Sequence, residues 1–393
     1  MAVMHCLRKV VSTVMLRKGI AWDVPFRGRE GVPRILVLSD RMDATYYVAF
    51  HYPLQDLQAR GLADFAVLSG YGVRRSVQKY EPETIVKYIM SRYRPHVVIF
   101  SRYASPYAKE LIESFQSYHV RTLYYSDDNL LDLPESLGPG VRSQHATAEV
   151  EKARRICFAS VDGILVSTSH LATVMQKQFP GQTIYQLLYP PYLGHLIKKA
   201  PGGTSRLKGE AVTIGYMGSR GHHRDLLKVA GAITRILDEI PETRFETFGT
   251  IAMPEELRRF GNRVATHKPR NSYGEFMQYL HDLQWDIGLA PLEDNEFNRC
   301  RSPIKFLEYT ACGVATVASD VGVYRSVIGH QMGLLVADDE WVPSVRLAVT
   351  NPALRRLFLS NAGKICADRF SFRKVTDDLA RVLNLLLAPP GNC

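Results

Sequence analysis

Ser302, Lys305 and Glu308 are spaced by three within the stretch Phe297-Asn-Arg-Cys-Arg-Ser-Pro-Ile-Lys-Phe-Leu-Glu-Tyr-Thr-Ala-Cys-Gly-Val-Ala-Thr-Val-Ala-Ser319. On a helix they line up along one side. A helix start presents N–H groups and the positive end of the dipole, so a lysine beside it makes a natural anion site. A carboxylate one turn deeper can accept hydrogen bonds from a sugar diol. Phosphate at the helix mouth with ribose beside Glu308 is therefore a coherent reading. An ordinary amphipathic helix with a solvated Lys–Glu pair fits the same periodicity.

A second constellation is Gly215-Tyr-Met-Gly218-Ser219-Arg220-Gly-His222-His-Arg-Asp225. It follows an apolar strand and opens a helix, where a backbone approaches phosphate closely. Gly218 allows the approach and Arg220 supplies charge to a diphosphate. The stretch lacks G-x-G-x-x-G, which disfavours a nicotinamide or flavin enzyme. Asp225 either belongs to the site or simply bonds His222 and steadies the helix start. A His222–His223 metal site is disfavoured, because adjacent helical residues point apart. Asn298 lies in the loop before the central helix, beside the same helix mouth.

In the first half, Asp127-Asp128-Asn129 ends a strand, and Arg102 and Tyr103 end a neighbouring one. The carboxylates are adjacent rather than spaced, so they are read as facing a substrate or bracing a cleft, with no metal ligand set assigned.

The elements that must hold these residues alternate strand and helix. Arg34 to Ser39, Ala63 to Ser69, His96 to Ser101, Arg121 to Ser126, Gly163 to Ser167 and Thr183 to Leu188 read as strands with helical stretches between them. The pattern restarts with strands at Val212 to Met217, Arg244 to Phe248, Asp286 to Ala290, Val314 to Ala318 and Gly333 to Val336. Such alternation means βαβ units and parallel sheets. In the central unit, Ser302 is the expected N-cap, Pro303 the first helical residue, and Gly313 the left-handed stop. Ile304, Leu307 and Ala311 form the stripe expected to pack on the sheet. Residues 189–210 are rich in Pro, Gly and Lys and read as a linker. Ligands of open α/β sheets bind outside the carboxyl ends of the strands, so both halves are expected to face one cleft.

The 393 residues allow two cores of about 170 to 190 residues each. Hydrophobic content of 46% and charged content of 22% belong to a folded soluble protein. No run approaches the roughly 18 apolar residues of a membrane span. The six cysteines are scattered, which argues for a reducing compartment and against a disulfide framework. A net charge of +10 favours anionic partners. No RNA-binding aromatic motif, helix-turn-helix or zinc finger is present, so nucleic acid is not an expected partner. Residues 1–31 form a basic leader, read as an amphipathic helix lying on a membrane surface, as a disordered leader or as the product of a misassigned start codon.

The segment SPIKFLEYTACGVATVAS is similar to the nucleotide-sugar-binding segment of GT-B glycosyltransferases, the group that includes glycosyltransferase family 4. IGYMGSRGHHRDL and DIGLAPLEDNEFN resemble the same donor domain in the same order. The likeness covers residues 210–385 well and the first half more loosely. It implies an α/β GT-B fold: an acceptor domain at 32–195, a linker at 196–210, and a donor domain with C-terminal helices at 211–393. It implies transfer of a sugar from a nucleotide-diphosphate sugar to a hydroxyl acceptor, with retention and without a required metal or other cofactor. Arg220, Lys305 and Glu308 become the catalytic candidates, with Glu308 holding the donor ribose. Gly218, Ser219, His222, Asn298 and Ser302 become donor contacts. Arg102, Asp127 and Asp128 fall on the acceptor side. A glycan or lipid-linked acceptor, polysaccharide or glycolipid synthesis, and a cytoplasmic place with peripheral contact at the inner membrane face complete the expectation. The chain departs from the family at Cys300, where many members carry a second glutamate. That departure leaves two alternatives: a nucleotide-sugar-binding partner of another enzyme, or a GT-B sugar-nucleotide epimerase.

Overall fold

The computed structural model describes residues 23–77, 79–104, 107–198 and 211–388. Most of the basic leader, and residues 199–210 of the linker, lie outside the described residues. The chain divides into two compact units. The first comprises 1–131, 145–189 and 375–393, and the second 132–144 and 190–374.

The first unit holds a six-stranded sheet of β1 (Arg34–Ser39), β2 (Asp64–Ser69), β3 (Val97–Ser101), β4 (Arg121–Ser126), β5 (Gly163–Val166) and β6 (Ile184–Gln186). Its order is β2-β1-β3-β4-β5-β6, and every pairing is parallel. The strands are continuous apolar runs because helices cover both faces of such a sheet; in β3 every residue is buried. The order reverses between β1 and β3, so the crevice of this sheet lies at the carboxyl ends of these two strands.

The second unit holds β7 (Val212–Gly218), β8 (Thr243–Gly249), β9 (Val264–His267), β10 (Ile287–Ala290), β11 (Ala315–Ser319) and β12 (Leu334–Val336). The order β12-β11-β10-β7-β8-β9 is again all parallel. It is the doubly wound order of dinucleotide-binding sheets, with its reversal between β7 and β10. The core below it is built from Ile214, Phe245, Ile287, Leu289 and Val317 of the strands and Leu226, Val229, Ile233 and Ile236 of the helix His223–Glu239.

The expected α/β architecture is therefore present in both halves. The helical stretch between β1 and β2 begins at Ala44 and passes through a π turn at Tyr47–His51 before Tyr52–Ala59. The final helix, Phe372–Leu387, begins beside the second unit, but from Val375 onward it packs with the first. The sequence reading places it with the second. Conversely, the segment 132–144 belongs to the second unit, although it interrupts the first in sequence.

Candidate functional site

The central helix spans Ile304–Ala311. Its N-cap is Pro303, not Ser302, and no side chain caps it. The difference is one residue: Pro303 adopts φ −80° and ψ 35°, outside helical geometry, and shifts the start. Gly313 closes the helix with φ 77°, the left-handed stop expected there. The helix is not amphipathic in the simple sense, since Phe306 through Ala311 are all buried. Leu307 and Ala311 of the expected stripe are buried, and Ile304 is half-buried.

Tyr309 fixes this helix on the sheet. Its ring lies over Gly288 of β10, where any Cβ would sit 2.7 Å from the ring carbons. Its hydroxyl donates to the Leu289 carbonyl at 3.1 Å and accepts from the Met217 N–H at 3.2 Å. One side chain thus ties the helix to β7 and β10, the two strands at the switch point.

Two positive side chains gather beside the start of that helix. The Lys305 ammonium sits 5.8 Å from the centre of the Tyr216 ring. The Arg301 guanidinium approaches His222 Nδ1 at 3.4 Å and lies 5.2 Å from the Phe297 ring centre. His222 Nδ1 is also 2.9 Å from Asp225 Oδ2. Burial, then Lys305 and Arg301, push the His222 imidazole down to about 3, so it is neutral at physiological pH. Asp225 is held below its usual range: burial opposes this, but the His222 bond and the Lys305 and Arg301 charges outweigh it. The contact with His222 is the one expected of Asp225 as a brace for the helix start.

Gly218 ends β7, and its carbonyl accepts from the Thr250 N–H at 3.1 Å. Ser219 and Arg220 are exposed. The Arg220 N–H donates to Thr250 Oγ1 at 3.2 Å, which anchors the loop from the β8 side. The turn Glu135–Leu137, from the segment that joins this unit, packs against the turn Arg220–His222.

Glu308 is 8% exposed. Its Oε1 accepts from the Tyr273 hydroxyl at 2.7 Å. Burial raises its carboxyl to about 7, against the opposing pull of the Tyr273 bond and the Lys305 charge. Buried carboxyls shifted toward neutrality cluster at functional sites, which makes Glu308 a candidate. Asn298 is buried, and its Nδ2 donates to the Glu293 carbonyl at 2.9 Å. That amide holds the loop together. Ser302 is half-buried and Cys300 fully buried.

The loop after β9 is also built. His267 contacts Glu246 Oε2 at 2.9 Å and the Tyr279 hydroxyl at 3.1 Å. The Trp285 indole donates to the same Glu246 oxygen at 2.8 Å. Arg270 stacks 3.5 Å above the Tyr279 ring.

In the first unit, Arg102, Asp127 and Asp128 come together at the carboxyl ends of β3 and β4. Arg102 Nε lies 3.3 Å from Asp127 and its Nη2 3.2 Å from Asp128. Thr45 donates to Asp127 Oδ2 at 2.7 Å and accepts from Arg102 Nη1 at 3.1 Å. Burial disfavours the Arg102 charge, but Asp127, Asp128 and Asp43 hold the guanidinium firmly protonated. Burial raises Asp127 to about 6; Arg102 opposes the rise and Asp128 adds to it. The adjacent carboxylates thus share one guanidinium, and Arg102 takes a left-handed φ of 51° to reach them.

The sequence reading missed Tyr273, Arg301, Thr250 and Tyr309. A signal existed for Tyr273: Ser272 and Glu275 form a capping box, which places Tyr273 at the first helical position. Arg301 lay inside the central stretch but outside its spacing of three.

No known family profile matches the chain, and no curated protein sequence matches it. Solved structures do match. HepE of Anabaena in complex with UDP-glucose superposes with a TM-score of 0.61 at 14% identity, covering 90% of this chain and 99% of that one. The UDP-forming alpha,alpha-trehalose-phosphate synthase of Burkholderia xenovorans gives 0.59 at 11% identity, over 91% and 100% of the two chains. WaaG, a glycosyltransferase involved in lipopolysaccharide biosynthesis, gives 0.59 at 14%, over 89% and 99%. These neighbours are GT-B glycosyltransferases. With both doubly wound sheets matched across nearly the full length of each neighbour, the chain has the GT-B fold.

Proposed function

We propose that this protein is a glycosyltransferase that moves a sugar from a nucleotide-sugar donor to a hydroxyl acceptor. The observation that carries the reading is Glu308, a buried carboxyl one turn inside a helix whose start is flanked by Lys305 and Arg301. That arrangement lies at the switch point of the second sheet, where this fold class binds nucleotides. In this reading the ribose hydroxyls donate to Glu308, while Lys305, Arg301 and Arg220 neutralise the diphosphate. Charge developing on the leaving diphosphate needs such preorganised cations, and they act most strongly where water is excluded. His222, Gly218 and Ser219 line the same phosphate loop; Ser302 stands at the helix mouth. Asn298 contributes by shaping the loop. The UDP-glucose complex of HepE supports a sugar nucleotide as donor.

On the acceptor side we assign the first unit's Arg102, Asp127 and Asp128. Their mixed charge and raised Asp127 carboxyl suit a polyol, so a glycan or lipid-linked sugar is the acceptor class. Retention of configuration, independence of metal, polysaccharide or glycolipid synthesis, and a cytoplasmic place with peripheral membrane contact belong to this proposal through the family resemblance. Among the described residues, no helix is long and apolar enough to cross a membrane. A second reading rests on Cys300: a fully buried thiol in place of the family's second glutamate fits a chain that binds the donor and serves a partner enzyme.

The test is thermal stabilisation by UDP, GDP, ADP, TDP and CMP, with wild type and Glu308→Ala side by side. A ligand at a hundredfold excess over its dissociation constant adds about 2.7 kcal/mol, an easily measured shift. One nucleotide stabilising wild type but not the variant is the expected result. No shift from any nucleotide would remove the donor assignment. Binding without transfer or hydrolysis of the matching sugar nucleotide would favour the partner reading.

A further inference from the structure

Glu308 is held by a residue of another helix. Tyr273 opens the helix Tyr273–Asp282, where the reciprocal Ser272–Glu275 capping box fixes its backbone. Its ring is buried and packs against Phe276 with centroids 5.6 Å apart, so it has little freedom to turn. Its single hydroxyl proton is aimed at Glu308 Oε1, 2.7 Å away. A bond of that length to a carboxylate is charge-assisted and favours the ionised form. It also occupies one oxygen and leaves Oε2 for other donors.

We propose that Tyr273 is a positioning residue for the donor site: its hydroxyl favours the ionised form of Glu308 and holds it in the one rotamer that accepts from a nucleotide's ribose hydroxyls, so that donor affinity is switched by pH through this pair. The inference rests on the donor reading above. Burial works against the ionised form and places Glu308 at about 7, so the hydroxyl acts where a small change alters the charge.

The other titratable groups around Glu308 do not compete in that range. Burial raises Tyr309, Cys312 and Tyr324 further above neutrality, while the Lys305 charge on the same helix favours the carboxylate. His222 in the neighbouring phosphate loop has its transition far lower, at about 3. The sign follows directly. Protonated Glu308 has lost acceptor capacity toward the ribose, so affinity rises with pH through the Glu308 transition. Without the Tyr273 hydroxyl, burial is opposed less, and the transition moves up.

Two measurements on the full chain decide the matter. The first needs no ligand: carbon NMR titration of the Glu side-chain carboxyls, with Glu308→Gln identifying the Glu308 signal. In Tyr273→Phe the Glu308 midpoint should rise by about one pH unit or more; an unchanged midpoint overturns the proposal. The second is calorimetric binding of UDP-glucose, GDP-mannose and ADP-glucose from roughly pH 5.5 to 9, chosen because their diphosphodiesters carry no proton that titrates near neutrality. Wild-type affinity should climb through about pH 7 and Tyr273→Phe should climb later. At pH 7.5 a one-unit shift makes the variant about threefold weaker, with a smaller gap at the alkaline end. Glu308→Gln should show no inflection. Binding with the same profile in wild type and Tyr273→Phe overturns this inference alone; no binding of any of the three at any pH overturns the donor reading and the ribose role with it.

Discussion

At the scale of single residues, Glu308 carries a cost that the free protein cannot recover. Its carboxyl moves from the ordinary 4.5 to about 7 on folding, because burial penalises the charge. A carboxyl raised in the folded state stabilises that state when protonated. The contribution is complete below about pH 4.5 and is lost as pH rises through about 7. Each pH unit of that gap corresponds to about 1.4 kcal/mol, so the ionised side chain costs on the order of 3 kcal/mol above neutrality. Glu308→Gln keeps the shape and still accepts from Tyr273 without the charge. Urea unfolding of the nucleotide-free protein should therefore show the variant about 2–3 kcal/mol more stable at pH 8.5 and level with wild type near pH 4.5. Equal stabilities at both pH values would mean that Glu308 is solvated or paired in a way its surroundings do not provide. The side chains legible in the sequence were those on a periodic lattice. Lys305 and Glu308 stood out by spacing, and Gly218 and His222 by following a strand. Tyr273 and Arg301 act across elements, and a linear spacing carries no record of such contacts. Asn298, read as a loop residue, lies in the short helix Glu296–Arg299, with its amide turned to the Glu293 carbonyl.

At the scale of elements, the stop of the central helix at Gly313 was readable because a left-handed residue has a chemical requirement. Its start was misread by one residue because Ser302 and Pro303 are both good initiators, and tertiary contacts decide between them. Two short elements went unseen: the helix Glu296–Arg299 has too few residues to show a period, and the 3-10 run Glu255–Arg263 is interrupted by the non-helical Gly261. The contact that matters most for placing the central helix is the Tyr309 hydroxyl between the Met217 N–H and the Leu289 carbonyl. Tyr309→Phe removes that bridge and leaves a buried donor and a buried acceptor to find other partners. The expected loss is about 1–3 kcal/mol of unfolding free energy. Nucleotide binding should weaken as well, because the helix that carries Lys305 and Glu308 loses its tie to β7. Chemical denaturation and calorimetry on the same variant check both effects. A stability loss with unchanged affinity would show that Phe306 and Leu307 packing alone keeps the helix in place.

At the scale of the whole molecule, the alternation of strands and helices announced two doubly wound halves, but strand order and the membership of distant segments did not follow from it. Order in a parallel sheet depends on which crossover packs where, and local pattern is blind to that. The last helix shows the consequence. Read along the chain it belongs with its neighbours in the second unit; in space it is part of the first from Val375 onward. Its Asp378 accepts from the Leu188 N–H at 2.7 Å, and its Asp377 meets Arg60 at 2.6 Å. Val375, Leu379, Val382, Leu383 and Leu386 are all buried. At about 1.5–3 kcal/mol for each buried side chain, that face contributes on the order of 10 kcal/mol. A domain's net stability is of the same size, about 5–15 kcal/mol. The first unit should thus fail to fold without the helix, although every one of its strands lies before residue 190. A chain ending at Ser371 should show rapid proteolysis within residues 23–189 while the wild type resists, and the helix supplied as a separate peptide should restore protection. Protease resistance of the truncated chain equal to wild type would mean that the first sheet and its own helices close a sufficient core. The cluster of Arg102, Asp127 and Asp128 would then be independent of the C-terminal segment that joins its unit only in space.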